Sequence, residues 1–163
     1  MPYELKVDGM AEISEALDKL ENGAAAAAAQ GLYEGAGVMA DEMNRAAGNI
    51  QTAPFKYASR GDVRLPSPEE KEIVMQASAG IAKFKKDGTE IDTSVGFRNA
   101  GYAELKGKPV PLPLIVNAIN SGTSFMRKQP FVRKAVTKGG PKAVQAMKDK
   151  IESVLDEHMK TLK

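Results

Sequence analysis

Six consecutive alanines, Ala24 to Ala29, run into Gly31, Gly35 and Gly37. Alanine is the best helix former, whereas each glycine weakens a helix by about 1 kcal/mol relative to alanine. Leu32, Ala36, Met39, Met43, Ala47 and Ile50 recur every three or four residues through the same stretch and make an apolar stripe. A helix that carries so many small residues lets a second helix approach closely, and the segment predicts a long helix built for such packing. Ahead of it, Met10, Ile13, Leu17 and Leu20 also keep helical spacing, and Asn22-Gly23 is expected to divide the two helices. Tyr3 to Val7 alternates polar and apolar residues and predicts a short strand.

Gly48 to Pro66 has little periodicity and carries Pro54, Gly61 and Pro66, so it reads as a long loop. Ser67-Pro68-Glu69-Glu70 is a helix start: Ser67 caps, Pro68 suits the first helical position, and Glu70 completes a capping box. Ile73, Val74 and Ala77 give that helix its buried side. From Ile81 to Phe97 the apolar period shifts towards two, with Asp87-Gly88 as a tight turn and Ile91, Thr93, Val95 and Phe97 on one face. A hairpin is favoured there over continuation of the helix to Lys86, which Ile73, Ala77, Ile81 and Phe84 would also fit. Gly96 to Pro113 is turn-rich, with a tip at Lys106-Gly107-Lys108. Leu114, Ile115, Ala118 and Ile119 predict a short helix that stops at Gly122. A last helix is expected from Pro141 to the end, with Val144, Met147, Ile151, Val154, Leu155 and Leu162 as its apolar stripe.

This order predicts an α+β fold: a small, mainly antiparallel sheet packed against a long N-terminal helix and a C-terminal helix. The 163 residues suffice for one domain, with mobile loops expected at 48–66 and 99–113. No cysteine is present, which excludes disulfides, thiolate catalysis and cysteine zinc sites. No apolar run reaches the roughly 18 residues of a membrane span, and no signal peptide is visible, so no membrane partner is expected.

Residues suited to catalysis are scarce. The single histidine, His158, lies at the edge of the last apolar stripe, where packing explains it better than chemistry. Gly35-x-Gly37 lacks a third glycine, and Gly139-Gly140-Pro141-Lys142 lacks phosphate-loop spacing. Asp41-Glu42 and Glu69-Glu70 are neighbours in sequence, so on a helix they point apart and read as solvated faces. No enzyme, metal or cofactor is expected.

The residues singled out for function lie between the short helix and the last one, from Ser121 to Ala135. Small residues open the stretch, and Phe125 and Phe131 follow in a basic setting, with Pro130 fixing the backbone before Phe131. Arg127, Lys128, Arg133, Lys134, Lys138 and Lys142 fall between residues 125 and 142 without an acidic residue, although net charge is only +2. Asp8, Glu12, Glu15, Asp18 and Glu21 make the N-terminal part acidic. Two readings stand: complementary ends that join copies head to tail, or solvated surfaces.

Ile115-Val116-Asn117-Ala118-Ile119-Asn120-Ser121-Gly122-Thr123-Ser124, followed by Gln129-Pro130-Phe131-Val132-Arg133-Lys134-Ala135, resembles the signature of small tail-component proteins of long-tailed bacteriophages. These are also described as tail-completion or head–tail joining proteins. Their pattern is an apolar segment, often an acidic residue, then Gly-Thr, a spacer, and Pro-Phe-aliphatic-Arg before a C-terminal helix. Val95-Gly96-Phe97 and Gly101-Tyr102 are similar to the strand and turn before it. Asn120 stands where the acid is common, and Lys134 where a second proline is common.

The resemblance implies a structural virion protein of the tail or neck, made in the host cytoplasm, that completes the tail and joins it to the head as a ring, often a hexamer. Its partners would be further copies of itself and tail-tube, terminator or head-connector proteins. The alternatives are a tail-terminator ring that caps the tube, or a nucleic-acid-binding module using residues 125–142. Candidate interaction residues are Phe125, Arg127, Lys128, Phe131 and Arg133. Phe131 is read first as a core anchor and second as a contact. The basic side chains face acidic neighbours, phage DNA in the axis, or solvent.

Overall fold

Met10 to Gly48 form one unbroken helix, α1, of 39 residues in the computed structural model, which describes residues 10–55, 61–88, 90–97 and 101–161. The expected break at Asn22-Gly23 does not occur. Gly23 is buried beneath the His158 imidazole of the last helix, where a Cβ would collide with the ring. The glycine serves packing, and the neighbouring helix holds α1 together through it. The strand expected at Tyr3 to Val7 lies outside the described residues.

The last helix, α4 (Phe131–Thr161), starts ten residues before its expected start at Pro141 and passes through that proline. A proline inside a helix removes one donor and presses on the preceding turn, at a cost of about 3 kcal/mol. Gly140 has no Cβ for the ring to strike, Pro141 is exposed, and contact with α1 holds the helix on both sides. The buried line of α4 is Phe131, Ala135, Gly139 and Ala143. It continues into half-buried Met147 and Ile151, while Val144 of the expected stripe is exposed.

α1 and α4 lie antiparallel. A Cβ at Gly31 would stand 2.5 Å from Ile151 Cγ1 and 3.0 Å from the Met147 carbonyl oxygen. At Gly35 it would collide with the Met147 side chain and stand 3.0 Å from the Ala143 oxygen. At Gly139 it would meet Met39 Sδ and Glu42 Cβ at 3.1 Å. The close approach expected from the small residues is thus made at Gly31 and Gly35. Gly37 faces open space and takes no part.

Two helices of 10 residues, α2 (Pro68–Ala77) and α3 (Leu112–Ser121), close the core over the second half of α1. Ala40, Met43, Ala47 and Ile50 of α1 meet Ile73 and Val74 of α2, Ile115, Val116 and Ile119 of α3, and Phe97. Leu114, one of the apolar residues whose spacing predicts α3, is exposed. Among the described residues, the other end of α1 packs mainly on α4, with Gly23, Ala27, Gly31, Gly35 and Ala36 buried, and Tyr33 meets the Phe84 ring with centres 6.1 Å apart. The molecule is therefore a core with a two-helix arm.

Among the described residues, three antiparallel pairs make the sheet component: β1 (Gly80–Ile81) with β4 (Val95–Gly96), β2 (Lys85–Asp87) with β3 (Glu90–Asp92), and β5 (Tyr102–Leu105) with β6 (Lys108–Pro111). The first two pairs belong to one hairpin, as the Asp87-Gly88 turn predicts. Ile81 faces Val95 and Lys85 faces Asp92, so the partner numbers shift by one between them. Lys83 and Phe84 together oppose Thr93, a bulge. The third pair replaces the expected loop at 99–113. Lys106 (φ 53°) and Gly107 (φ 74°) form its two-residue turn, both in the left-handed region that such turns need.

Candidate functional site

The connection from Gly122 to Pro130 is held from both ends by the helices it joins. Gly122, at φ 78°, stops α3, and its N–H donates to the Ala118 oxygen at 2.9 Å. The Thr123 N–H donates to the Met126 oxygen at 3.0 Å, and the Met126 N–H returns to Thr123 Oγ1 at 3.0 Å. The Gln129 N–H donates to the Ile119 oxygen at 2.8 Å. Asn120 Oδ1 accepts from the Val132 N–H at 3.2 Å, occupying one of the donors that a helix start leaves open. A carboxylate at position 120 would accept the same bond.

The long loop before α2 straps onto this connection. The Arg64 N–H donates to the Phe125 oxygen at 2.9 Å, and the Arg127 N–H donates to the Arg64 oxygen at 2.8 Å, so Arg64 and Met126 pair as a single parallel bridge. The Gln51 N–H donates to Gln129 Oε1 at 2.8 Å, and Gln129 Nε2 donates to the Gln51 oxygen at 2.7 Å. Beneath the bridge, Arg64 grips Glu70 with two bonds of 2.7 and 2.6 Å. Glu70 Oε2 also accepts the Ser67 N–H at 2.7 Å, and Ser67 Oγ accepts the Glu70 N–H at 3.2 Å, the capping box read in the sequence. Burial pushes the Glu70 carboxyl up, but the Arg64 and Ser67 bonds outweigh it and hold the group below the usual glutamate range. The Arg64 guanidinium also stands over the Phe55 ring, 4.9 Å from its centre.

Alternation along this ribbon sorts the side chains. Met126 is buried and Arg64 points into the structure, so their chain neighbours Val63 and Phe125 turn outward. Val63 is 57% and Phe125 51% exposed, beside exposed Arg127 and Lys128. Arg133 and Lys134 are exposed on the first turn of α4. Four of the five candidate residues therefore face solvent at one end of the molecule. Phe131 does not: at 4% exposure it lies in the core, edge-on to Phe97 with ring centres 5.9 Å apart.

The basic stretch divides in two. Lys138 and Lys142 reach Glu42 of α1 at 3.3 and 3.8 Å, and Arg45 joins it at 2.8 Å. Glu42 is buried, which corrects the reading of Asp41-Glu42 as a solvated face. Burial pushes its carboxyl up, while Lys138 first, then Arg45 and Lys142, bring it below the usual range. Glu70 is likewise buried. The signal for Glu42 was present, since it falls three residues after Met39 on the apolar stripe. Arg64 and the Gln51–Gln129 pair carried no sequence signal, because they meet only in the folded chain.

A cleft of about 570 Å³ opens beside β1 and β4, lined by Ile81, Val95, Phe97, Val116, Asn117 and Val132 among others. Its described lining carries no ionisable side chain, so it suits an apolar group and offers no acid or base. His158 Nε2–H donates to the Lys19 oxygen at 2.8 Å and clamps the far end of the arm. Among the described residues, no three metal-ligating side chains converge, and no helix is long and apolar enough to cross a membrane. No protein-family model, curated protein or solved structure matches the chain.

Proposed function

We propose that this chain is a structural protein of a phage tail or neck, which completes the tail and joins it to the head as a ring of copies. The observation that carries the reading is the Ser121–Ala135 segment. Of its tail-component-like residues, Gly122-Thr123 build the turn and Pro130-Phe131-Val132 seat the last helix, while Arg133 faces outward. The spacer between them is what they present: Phe125, Arg127 and Lys128 stand outward on a backbone tied by hydrogen bonds. A fixed aromatic residue flanked by cations is a common form of interface anchor. The work is fitting of surfaces, with no bond made or broken.

The test is electron microscopy of the purified chain, alone and mixed with tail tubes. Rings seated at one end of the tubes are the expected result. A chain that neither binds tubes nor occurs in particles overturns the reading. Tubes that grow beyond their normal length without the protein would identify a terminator ring, and finished tails that fail to join heads would identify a joining protein. Outward Arg127, Lys128, Arg133 and Lys134 also favour contact with DNA in the axis. DNA affinity that falls steeply with salt would support that contact, and affinity indifferent to salt would exclude it.

A further inference from the structure

The antiparallel arm separates two surfaces of opposite charge. The basic end presents Arg127, Lys128, Arg133 and Lys134 around the apolar pair Val63 and Phe125, with Asp62 adjoining. The arm tip brings the start of α1 beside the end of α4, as the contact of His158 with Lys19 and Gly23 fixes. Exposed there are Glu15, Asp18 and Glu21 of α1 and Glu152, Asp156 and Glu157 of α4, against Lys19, already bonded to Glu15 at 2.7 Å, and Lys160. Met159 at the tip is 50% exposed and gives this acidic surface an apolar point of its own.

These surfaces cannot meet within one molecule. From Phe131 to Asp156 the helix alone spans roughly 40 Å at 1.5 Å per residue, far beyond the reach of any side chain. We infer that the acidic arm tip of one copy docks on the Phe125–Val63 knuckle of the next. Asp156, Glu157 and Asp18 pair with Arg127, Lys128 and Arg133, and Met159 packs on the Phe125 ring. Methionine sulfur against an aromatic edge is a favourable contact, and the charges set the orientation. Such an interface joins two different patches, so it propagates copy to copy and closes into a ring when the rotation allows. The inference rests on the self-association in the reading above, and it names the two faces that associate.

Sedimentation velocity of the full chain tests it, over a range of concentrations, at low salt and at about 1 M salt, where the screening length is about 3 Å. The wild type should assemble at low salt and dissociate at high salt. Arg127→Glu with Lys128→Glu, and separately Asp156→Lys with Glu157→Lys, should each weaken association about tenfold or more at unchanged melting temperature. Phe125→Ser should weaken it similarly. Mixing the two charge-reversed chains should restore assembly, because one is acidic at both ends and the other basic at both ends. Assembly that neither reversal alters, or a mixture that stays dissociated, overturns the docking. A chain monomeric throughout that still seats on tail tubes overturns the docking and leaves the tail reading intact. Assembly that follows the charges without tube binding does the reverse.

Discussion

The arm and the core end of this protein are held in place by opposite means. In the arm, position follows chiefly from what is missing: Gly23, Gly31 and Gly35 carry no side chain, so His158, Met147 and Ile151 lie against the backbone of α1, and one polar bond, from His158 to the Lys19 oxygen, clamps the tip. At the core end, position follows from specific bonds: Arg64 to Glu70, Gln51 to Gln129, and Thr123 to Met126. The arm is therefore intolerant of added volume and indifferent to many polar changes. The core end tolerates small changes of volume and is intolerant of losing a donor or acceptor. An extended element can be fixed along its whole length by shape, whereas irregular backbone needs its own polar groups satisfied one by one.

The sharpest break of that contrast is expected at Phe131, where core packing and connection meet. Phe131→Ala should cost about 3–5 kcal/mol, read from denaturant unfolding. Near-wild-type stability with failed assembly would instead make Phe131 a contact residue. Next is Arg64→Ala, which leaves Glu70 buried without its partner and should cost about 3 kcal/mol. Its pH signature is separate. The folded Glu70 value is depressed, so its contribution is in place above the usual glutamate range and is lost as pH falls through the folded value. Arg64→Ala should flatten that acid limb in unfolding curves recorded across pH. Gly35→Leu should cost about 1–3 kcal/mol by overpacking the arm. An unchanged melting temperature there would mean that the helices separate freely and that shape does not hold the arm. Smallest is Ser67→Ala, at about 1 kcal/mol for the lost cap, measured by thermal unfolding.

What could be read in advance follows the range of the physics involved. The capping box at Ser67–Glu70, the turn at Gly88 and the stop at Gly122 depend on residues a few positions apart, and each is in place. The α+β class follows from such local elements. Asn22-Gly23 and Pro141 carry local breaking signals as well, yet both lie inside helices. The contact between α1 and α4 overrides propensity there, and that contact joins residues far apart in the sequence, Gly23 with His158 and Gly139 with Met39. The tip at Lys106-Gly107 was read, but the strands on either side of it were hidden, because Pro109 and Pro111 obscure the second one. Within the site, Phe125, Arg127 and Lys128 were legible as candidates from composition. The Arg64–Glu70 clamp that fixes them was not, since a salt bridge between a loop and a capping residue leaves no periodic trace.

The glycine seam carries a consequence for how this sequence can vary. The Met147 side chain lies against Gly35 and the Ile151 side chain against Gly31, with the carbonyl oxygens of Ala143 and Met147 each 3.0 Å from where a Cβ would stand. Gly35→Leu alone collides and Met147→Ala alone leaves a void; the two combined relieve the side-chain collision, and the backbone oxygen of Ala143 must still give by a few tenths of an ångström. Surviving variants should accordingly show reciprocal size changes at these paired positions, a correlation written across the chain by geometry alone.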